Sequence, residues 1–232
     1  MVKGKQNLKF NFVTNSIVKD ITSLDSKNFH INLFGCKNFT FQHVTITAPE
    51  NSPNTDRIHM SSLEEINIMN RKISTRDDCV YVRDNNKKVT ITDITCGLGH
   101  VSIGSLGKYA KQKDMIVVVV KTCKLINTSN GVRIKTWSVS AGAFTTSDMH
   151  FEDIEMVSVS NPNIVHGINA TKRYILELVL LPHFKRKVQS QRFHKKLRSA
   201  TQTYLQQKYS IICEGVEVAD IDLTYNGSEP HH

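Results

Sequence analysis

Short runs of alternating apolar and polar residues recur along the first 165 residues in two interleaved sets. One set contains FTFQHVTI from Phe39, INIMNRKI from Ile66, VTITDITC from Val89, MIVVVVKTCKLI from Met115 and MHFEDIEM from Met149. The other set contains IHM from Ile58, VYV from Val80, VSIG from Val101 and VRIK from Val132. Alternation with β-branched residues, bounded by Asn, Gly, Ser and Asp, predicts strands.

The spacing of these strands bears on the fold class. Starts within each set recur at roughly twenty to thirty-odd residues, and several short strands in each repeat are typical of a solenoid. Because one such unit cannot bury its own apolar face, neighbouring units have to stack. The pattern favours an all-β parallel β-helix, but a β-sandwich or barrel also uses many short strands, so both architectures remain open at this point.

The strand pattern is interrupted between about His166 and Ile212. This segment is basic, has leucine clusters and few turn residues, and is predicted to be irregular or helical, with an amphipathic helix around Arg192 to Gln207. The strand pattern returns at Cys213. We therefore divide the chain into residues 1–165 with the repeated strands, 166–212 as an atypical basic segment, and 213–232 as the remnant of a C-terminal coil.

Composition and charge exclude several classes of protein. The chain has 232 residues, of which 39% are hydrophobic and 22% charged, as in a globular domain. The segment from Thr171 to Arg198 contains nine Lys or Arg and one acid, Glu177, so it carries nearly all of the net charge of +9. Because that charge is local, we expect no nucleic-acid partner. No run of eighteen apolar residues is present, so no membrane association is predicted. We also expect no signal peptide, because the positively charged start has no apolar core after it.

Polar clusters lie where the second set of strands meets its loops. They are Asn54 and Asp56 in SPNTD, Asp77 and Asp78 in RDDC, His100 in GLGH, and Arg133 with Lys135 in RIK. In a solenoid, consecutive units place such clusters one above the next. Arg133 and Lys135 are two residues apart on a strand, so their side chains point the same way.

This set of side chains has a natural chemistry. Glycoside hydrolysis needs one protonated carboxylic acid for the leaving oxygen and one carboxylate that activates water or attacks. Crowded carboxylates raise one another's pKa, which keeps one of them protonated. Arg and Lys suit an anionic sugar. The five cysteines include no C-x-x-C pair, and the histidines have no zinc-ligand spacing, so neither a metal nor a cofactor is predicted.

SPNTD, then DDC, then GLGH followed by SIGSLG, then RIKTW, resembles the ordered signature of the polygalacturonases, family 28 of the glycoside hydrolases. NGVRIKTW and SDMHFEDI look most like the pollen-type exopolygalacturonases of plants. The resemblance implies a right-handed parallel β-helix and inverting hydrolysis of α-1,4 bonds in pectin, with exo-cleavage favoured. It also implies a secreted, cell-wall enzyme without a metal, and we expect a monomer that binds polygalacturonate.

The same resemblance assigns roles to the polar clusters. Asp77 is implied as the general acid, and Asp56 and Asp78 as the pair that positions and activates water. His100 is implied to support the protonation of the acid and to contact substrate. Arg133, Lys135 and Asn54 are implied to bind substrate. Cys79 and Cys96 match a disulfide of the family.

Departures from the family pattern define an alternative function. Arg57, Arg76 and Val101 stand where the family has glycine, and the family's tyrosine after Asn161–Pro162 is absent. We expect a chain that is incomplete at both ends, with a segment 166–212 that derives from a frameshift or an intron. The alternative is therefore a catalytically inactive pectin-binding β-helix or a pseudogene-like product.

Overall fold

The structure, a computed structural model, describes residues 6–26, 28–48, 58–69, 72–74, 78–106, 108–109, 111–136, 146–159, 161–167, 175–180, 184–188, 212–213, 217–218 and 221–225. Every regular element in these ranges is a β-strand. Numbered along the chain, the strands are β1 Leu8–Asn11, β2 Thr14–Lys19, β3 Thr22–Leu24, β4 Ile31–Phe34, β5 Lys37–Gln42, β6 Thr45–Thr47, β7 Ile58–Ser61, β8 Glu64–Met69, β9 Lys72–Ser74, β10 Val80–Val82, β11 Lys87–Thr92, β12 Thr95–Gly97, β13 Val101–Leu106, β14 Met115–Ile126, β15 Asn130–Thr136, β16 Thr146–Val157, β17 Asn161–Gly167, β18 Ile175–Leu180, β19 Phe184–Val188, β20 Ile212–Cys213, β21 Glu217–Val218 and β22 Ile221–Tyr225.

The strands form two sheets, here named sheet A and sheet B. Sheet A has the order β1-β4-β7-β10-β13-β15-β17, and the main path of sheet B is β2-β5-β8-β11-β14-β12-β9-β6-β3. The described pairs are parallel, and each strand pairs with its equivalents in the preceding and following repeats. This arrangement confirms the predicted parallel β-solenoid, whereas a β-sandwich is built from antiparallel sheets.

The two interleaved sets of runs correspond to the two sheets. IHM, VYV, VSIG and VRIK lie in β7, β10, β13 and β15 of sheet A. The longer runs lie in sheet B, where VTITDITC forms both β11 and β12 and MIVVVVKTCKLI forms the single long strand β14. The alternation therefore predicted both the strands and their division between faces.

The core is a stack of apolar side chains in register from coil to coil. In sheet A, Ile58 pairs with Val80, Val80 with Val101, and Val101 with Val132. All four side chains are almost completely buried. Between these inward positions the intervening residues of sheet A, such as Arg133 and Lys135, point outwards.

The coil bends at residues with a positive φ, and these residues recur from coil to coil. One series is formed by Asp20, His43, Asp93, Thr122 and Asp153, with φ between 49° and 55°. Asn and Asp adopt this left-handed conformation more readily than other non-glycine residues. The series separates β2 from β3, β5 from β6 and β11 from β12, and it bends β14 and β16, so each coil turns at the same place.

The segment 166–212 differs from expectation wherever it is described. Here β18 and β19 both pair in parallel with β16, and β20 pairs with β18, so the coil pattern continues. The prediction of irregular or helical structure is wrong for these strands, because pairing with a preformed sheet edge outweighs weak local preferences. The helix predicted around Arg192 to Gln207 lies outside the described residues.

Candidate active site

Asp78 is the centre of the candidate site. It lies two residues before β10, and the next residue, Cys79, donates its backbone N–H to the carbonyl oxygen of His100 at 2.7 Å. Cys79 also forms a disulfide with Cys96 of β12, with a Cα–Cα distance of 6.0 Å. This is the pair that the family resemblance implied. The disulfide therefore links the chain next to Asp78 to β12 of sheet B.

The side chains of His100, Lys135 and Ser102 converge on the Asp78 carboxylate. His100 Nε2 lies 2.6 Å from Oδ1, and Lys135 Nζ lies 3.5 Å from Oδ2. The Ser102 hydroxyl donates a hydrogen bond to Oδ1 at 2.6 Å. The Asp78 side chain is only 6% exposed, so these contacts take the place of water.

The environment keeps Asp78 ionised. Burial alone raises its pKa, but the hydrogen bond and charge of His100, the charge of Lys135 and the Ser102 hydroxyl together outweigh burial and hold the pKa below its ordinary value of 3.8. At mildly acidic pH this group is therefore a carboxylate that accepts protons, and it is unsuited to donate one as a general acid.

The two predicted cations of β15 lie on the outer face, as their spacing indicated. Arg133 pairs in register with Ser102 of β13, one coil away. Its Nε is buried and has no hydrogen-bond partner among the described residues. The Lys135 ammonium also lies 5.6 Å from the centre of the Tyr81 ring, a cation–π contact.

A glycine sets the approach of β13 to β15. Gly104 has φ +118°, and a Cβ atom there would overlap the backbone carbonyl oxygen of Lys135. Only glycine therefore permits this close contact between the strands. The glycine of the SIGSLG run thus allows β13 to lie against the backbone of β15 at Lys135.

Two further residues of this face were not identified from the sequence. His59 and Tyr81 are paired in register in neighbouring strands, and their ring centres are 5.3 Å apart. Burial first, and the charge of Arg83 second, lower the pKa of His59 to about 4, while burial raises the pKa of Tyr81. The signal was present: each lies between two inward apolar residues of its strand, which places it on the outer face of sheet A.

The predicted site residues are therefore only partly located. The structure brings Asp78, His100 and Lys135 into contact and places Arg133 on the same face. Asn54, Asp56 and Asp77 lie outside the described residues, as do Arg57 and Arg76.

Val101, which replaces a family glycine, causes no disturbance in the described structure. Its side chain is fully buried between Val80 and Val132, and its φ is not positive. Within the described ranges, no group of three or more His, Cys, Asp and Glu side chains is arranged to hold a metal ion. No helix in that part of the chain is long and apolar enough to cross a membrane.

A β-solenoid with a buried carboxylate, an imidazole and cations on one face is a fold and site suited to a polysaccharide-acting protein. The sequence profile of "Glycosyl hydrolases family 28" matches residues 2–232, so the chain belongs to this family. The match includes the basic segment between residues 166 and 212.

Sequence relatives come from several plants. A polygalacturonase of Medicago sativa is 43% identical over 227 residues, which are 96% of this chain and 53% of that protein. An exopolygalacturonase of Oenothera organensis is 42% identical over 230 residues, 95% of this chain and 61% of that protein. The chain thus spans between half and two thirds of the length of these relatives.

Solved structures share the fold at low sequence identity. The endo-xylogalacturonan hydrolase from Aspergillus tubingensis superposes with a TM-score of 0.62 at 17% identity, covering 97% of this chain and 68% of that one. Endopolygalacturonase I from Stereum purpureum, solved with two galacturonate molecules, has a TM-score of 0.53 at 14% identity, covering 95% of this chain and 70% of that one.

Proposed function

We propose that the protein hydrolyses α-1,4-galacturonosyl bonds of polygalacturonate, the acidic polysaccharide of pectin. The observation that carries this proposal is the Asp78 carboxylate, buried and ionised in contact with His100 and Lys135 on the outer face of sheet A. Hydrolysis of a glycosidic bond uses such a carboxylate together with a second, protonated carboxyl group.

The low pKa of Asp78 supports a division of labour between the carboxyl groups. Asp78, together with Asp56, removes a proton from the attacking water, and Asp77 donates a proton to the leaving oxygen. Attack by water on the face opposite the leaving group inverts the anomeric configuration. His100 holds Asp78 in place and helps to keep it charged.

The cations supply recognition of the acidic sugar. Arg133 and Lys135 bind the galacturonate carboxylate at the cleavage point, and Asn54 belongs to the same binding wall. The unpartnered Nε of Arg133 supports this role, because a buried guanidinium nitrogen without an acceptor is stabilised by an incoming carboxylate. The chemistry is proton transfer between side chains and water, and it requires neither a metal nor a cofactor.

Further features of the proposal follow from the relatives. Cleavage from chain ends is favoured, since exopolygalacturonases are among the relatives of this chain. We propose a monomer that acts in the plant cell wall, with no nucleic-acid or membrane partner.

The experiment measures release of reducing ends from polygalacturonate by the purified chain at mildly acidic pH, beside an Asp77→Asn variant. We expect release by the wild type and a loss of about 10² to 10⁴-fold in the variant, the usual contribution of a general acid. Galacturonate monomer as the first product would indicate exo action, and a spread of oligomers would indicate endo action.

The alternative function is a catalytically inactive pectin-binding β-helix. It is favoured by Arg57 and Arg76, because cations beside Asp77 lower the pKa of a carboxyl that must stay protonated. Folded protein that binds polygalacturonate without releasing reducing ends would establish this alternative. Sequencing the transcript tests the frameshift or intron hypothesis, since a transcript that encodes residues 166–212 in frame would contradict it.

A further inference from the structure

Tyr81 connects two strands of sheet A that do not pair with each other. It lies on the outer face of β10, whereas Lys135 lies on β15, and β13 separates these two strands. The Lys135 ammonium is nevertheless 5.6 Å from the centre of the Tyr81 ring. The same ammonium lies 3.5 Å from Oδ2 of Asp78. Tyr81 therefore reaches across a whole strand to a cation of the candidate site.

The Tyr81 hydroxyl provides a second link to the same lysine, through the backbone of β13. The hydroxyl oxygen accepts a hydrogen bond from the backbone N–H of Ser105 at 3.0 Å. The neighbouring Gly104 lies so close to the backbone carbonyl oxygen of Lys135 that a Cβ atom would overlap it. Over residues 103–106 the register of β13 on β15 shifts. The tyrosine thus holds the irregular part of β13 that packs against the Lys135 backbone.

Neighbouring rings fix the orientation of the tyrosine. The Tyr81 ring centre is 5.3 Å from that of His59, and the His59 ring stacks on Phe29 at 4.6 Å with an interplanar angle of 13°. His59 Nδ1 lies 3.1 Å from Asn32 Oδ1. Since burial lowers the pKa of His59 to about 4, this ring is neutral at mildly acidic pH and does not repel the Lys135 ammonium.

An aromatic face suits the task of holding a lysine that has to act on carboxylates. The lysine ammonium is a point charge on a flexible stem, so fixing it costs rotamer freedom. A ring attracts a cation most strongly where water is excluded, and the Lys135 side chain is only 23% exposed. Unlike an acidic partner, the ring does not neutralise the ammonium, so the charge remains available to Asp78.

We propose that Tyr81 is a positioning residue that acts through Lys135. Its ring and its hydroxyl hold the ammonium beside the Asp78 carboxylate, so that the charge is in place before substrate binds. In this role Tyr81 contacts neither the substrate nor the reacting atoms. The catalytic part of the role rests on the proposed function, whereas the position of Lys135 can be measured without substrate.

The first measurement is the acetylation rate of the Lys135 amine in the folded chain, followed by mass spectrometry beside Lys121 and Lys124 of sheet B. Acetylation needs a free amine, so a held ammonium reacts slowly. Tyr81→Leu should raise the rate at Lys135 about fivefold, the size of a shielded cation–π contact. The rates at Lys121 and Lys124 should stay within about twofold, because these lysines form exposed pairs away from Tyr81.

Two further variants separate the ring's attraction from its size. Tyr81→Phe keeps the aromatic face, and its acetylation rate at Lys135 should stay within about twofold of wild type. Tyr81→pentafluorophenylalanine keeps the shape of a phenyl ring but removes the negative charge of its face, so its rate at Lys135 should approach that of Tyr81→Leu. This pair also decides the question if Tyr81→Leu does not fold.

The second measurement is kcat/KM for polygalacturonate with and without the lysine. Tyr81→Leu should lower kcat/KM about fivefold in the wild-type background. In the Lys135→Met background it should change kcat/KM less than about twofold, because the interaction it removes is already absent. Phe12→Leu replaces an aromatic ring that is 71% exposed on the first coil, and as the control it should stay within about twofold of wild type.

The outcomes separate the positioning role from the hydrolase. Unchanged acetylation of Lys135 in Tyr81→Leu and Tyr81→pentafluorophenylalanine would overturn the role, as would an equal rise at Lys121 and Lys124, which indicates general loosening. Equal losses of kcat/KM in both backgrounds would overturn it too. If acetylation rises only at Lys135 but wild type releases no reducing ends, Tyr81 holds Lys135 and the hydrolase proposal fails.

Discussion

The outer faces of sheets A and B both carry ion pairs, but the two sets differ in exposure. On sheet B, cations and acids pair between neighbouring strands at the surface: Lys37–Glu64 at 3.3 Å, Lys88–Glu65 at 3.0 Å, Lys121–Glu152 at 3.2 Å and Lys124–Glu155 at 2.9 Å. On sheet A, Lys135 lies 3.5 Å from Asp78, a longer distance, yet the acid is only 6% exposed. Distance alone therefore does not distinguish a functional pair from a surface pair.

Burial explains why the two faces should respond differently to mutation. Exposed pairs are screened by water and each contributes about 0 to 1 kcal/mol. A buried carboxylate is desolvated, so it depends on each partner, and removal of one partner leaves a charge without compensation. The first set belongs to a solvated surface, and the second creates a group with a fixed charge state that can take part in chemistry.

The largest difference is expected between two lysine substitutions. Lys135→Met should lower kcat/KM for polygalacturonate about 100-fold. The variant lacks the cation that lies beside Asp78 and that, in the proposed function, binds the substrate carboxylate. It should also move the acidic limb of the pH–rate profile upwards, since Lys135 contributes to the lowered pKa of Asp78. Lys124→Met is the matched control on sheet B, where we expect less than a twofold change, as is usual for a surface pair. Equal losses of kcat/KM in the two variants would contradict the distinction between the buried pair on sheet A and the exposed pairs on sheet B.

The next largest effect is a loss of stability on removal of the Cys79–Cys96 disulfide, next to Asp78. Cys96→Ala should lower the free energy of unfolding by about 3 kcal/mol, because a cross-link over a loop of this size restricts the unfolded chain. Cys123→Ala, at a buried thiol outside the disulfide, should cost less, about 1 kcal/mol for the lost packing. Denaturant unfolding measures both. Identical stability of wild type with and without a reducing agent would exclude the disulfide as a stabilising element.

Histidines on the two faces should differ in their effect on pH-dependent stability. The pKa of His59 falls from 6.5 to about 4 on folding, so the unfolded state binds the additional proton between these values. Stability is therefore complete above pH 6.5 and declines as the pH falls towards 4, by about 2 kcal/mol between pH 7 and pH 5.

His59→Gln should remove this part of the decline, as measured by denaturant unfolding at pH 7 and pH 5. His43→Gln is the control, since His43 lies on an exposed corner, 3.1 Å from Asp20. A decline that persists unchanged in His59→Gln would show that another group binds the proton. Asp78 does not interfere, because its contribution is present above its ordinary pKa of 3.8 and is lost only at lower pH.

The smallest effect is predicted for a pair on sheet B. A double-mutant cycle with Lys121→Gln and Glu152→Gln should give an interaction energy below about 1 kcal/mol, which decreases with added salt. A larger energy that is insensitive to salt would place this pair in the same class as the one at Asp78.

Much of the solenoid was predictable because alternation reports directly on a half-buried strand. VYV was predicted to be a strand, and Val80 and Val82 face the core as their spacing requires. The corners were only partly predictable. Asp and Asn mark several of them, but Val117 and Leu98 also have a positive φ, a conformation that stacking on neighbouring coils imposes against local preference.

The residues of the site were predictable from the sequence, but the ionisation state of Asp78 was not. Motif order identified Asp78, His100 and Lys135, which the structure brings together. The low pKa of Asp78 arises from contacts between different coils, among them the Ser102 hydroxyl, and these depend on a register that the sequence alone does not define. The wrong expectation for residues 166–212 has the same origin, since β18 and β19 are stabilised by pairing with β16.

The most direct test of the role of Asp78 is the rate of reducing-end release from polygalacturonate by Asp78→Asn and Asp20→Asn. Asp20 is a suitable control because it is an exposed acid at a left-handed corner, where asparagine keeps the backbone conformation. The proposed function predicts a loss of about 10² to 10⁴-fold for Asp78→Asn with an unchanged fold, and a rate within about twofold of wild type for Asp20→Asn. A folded Asp78→Asn variant that hydrolyses polygalacturonate at the wild-type rate would contradict it.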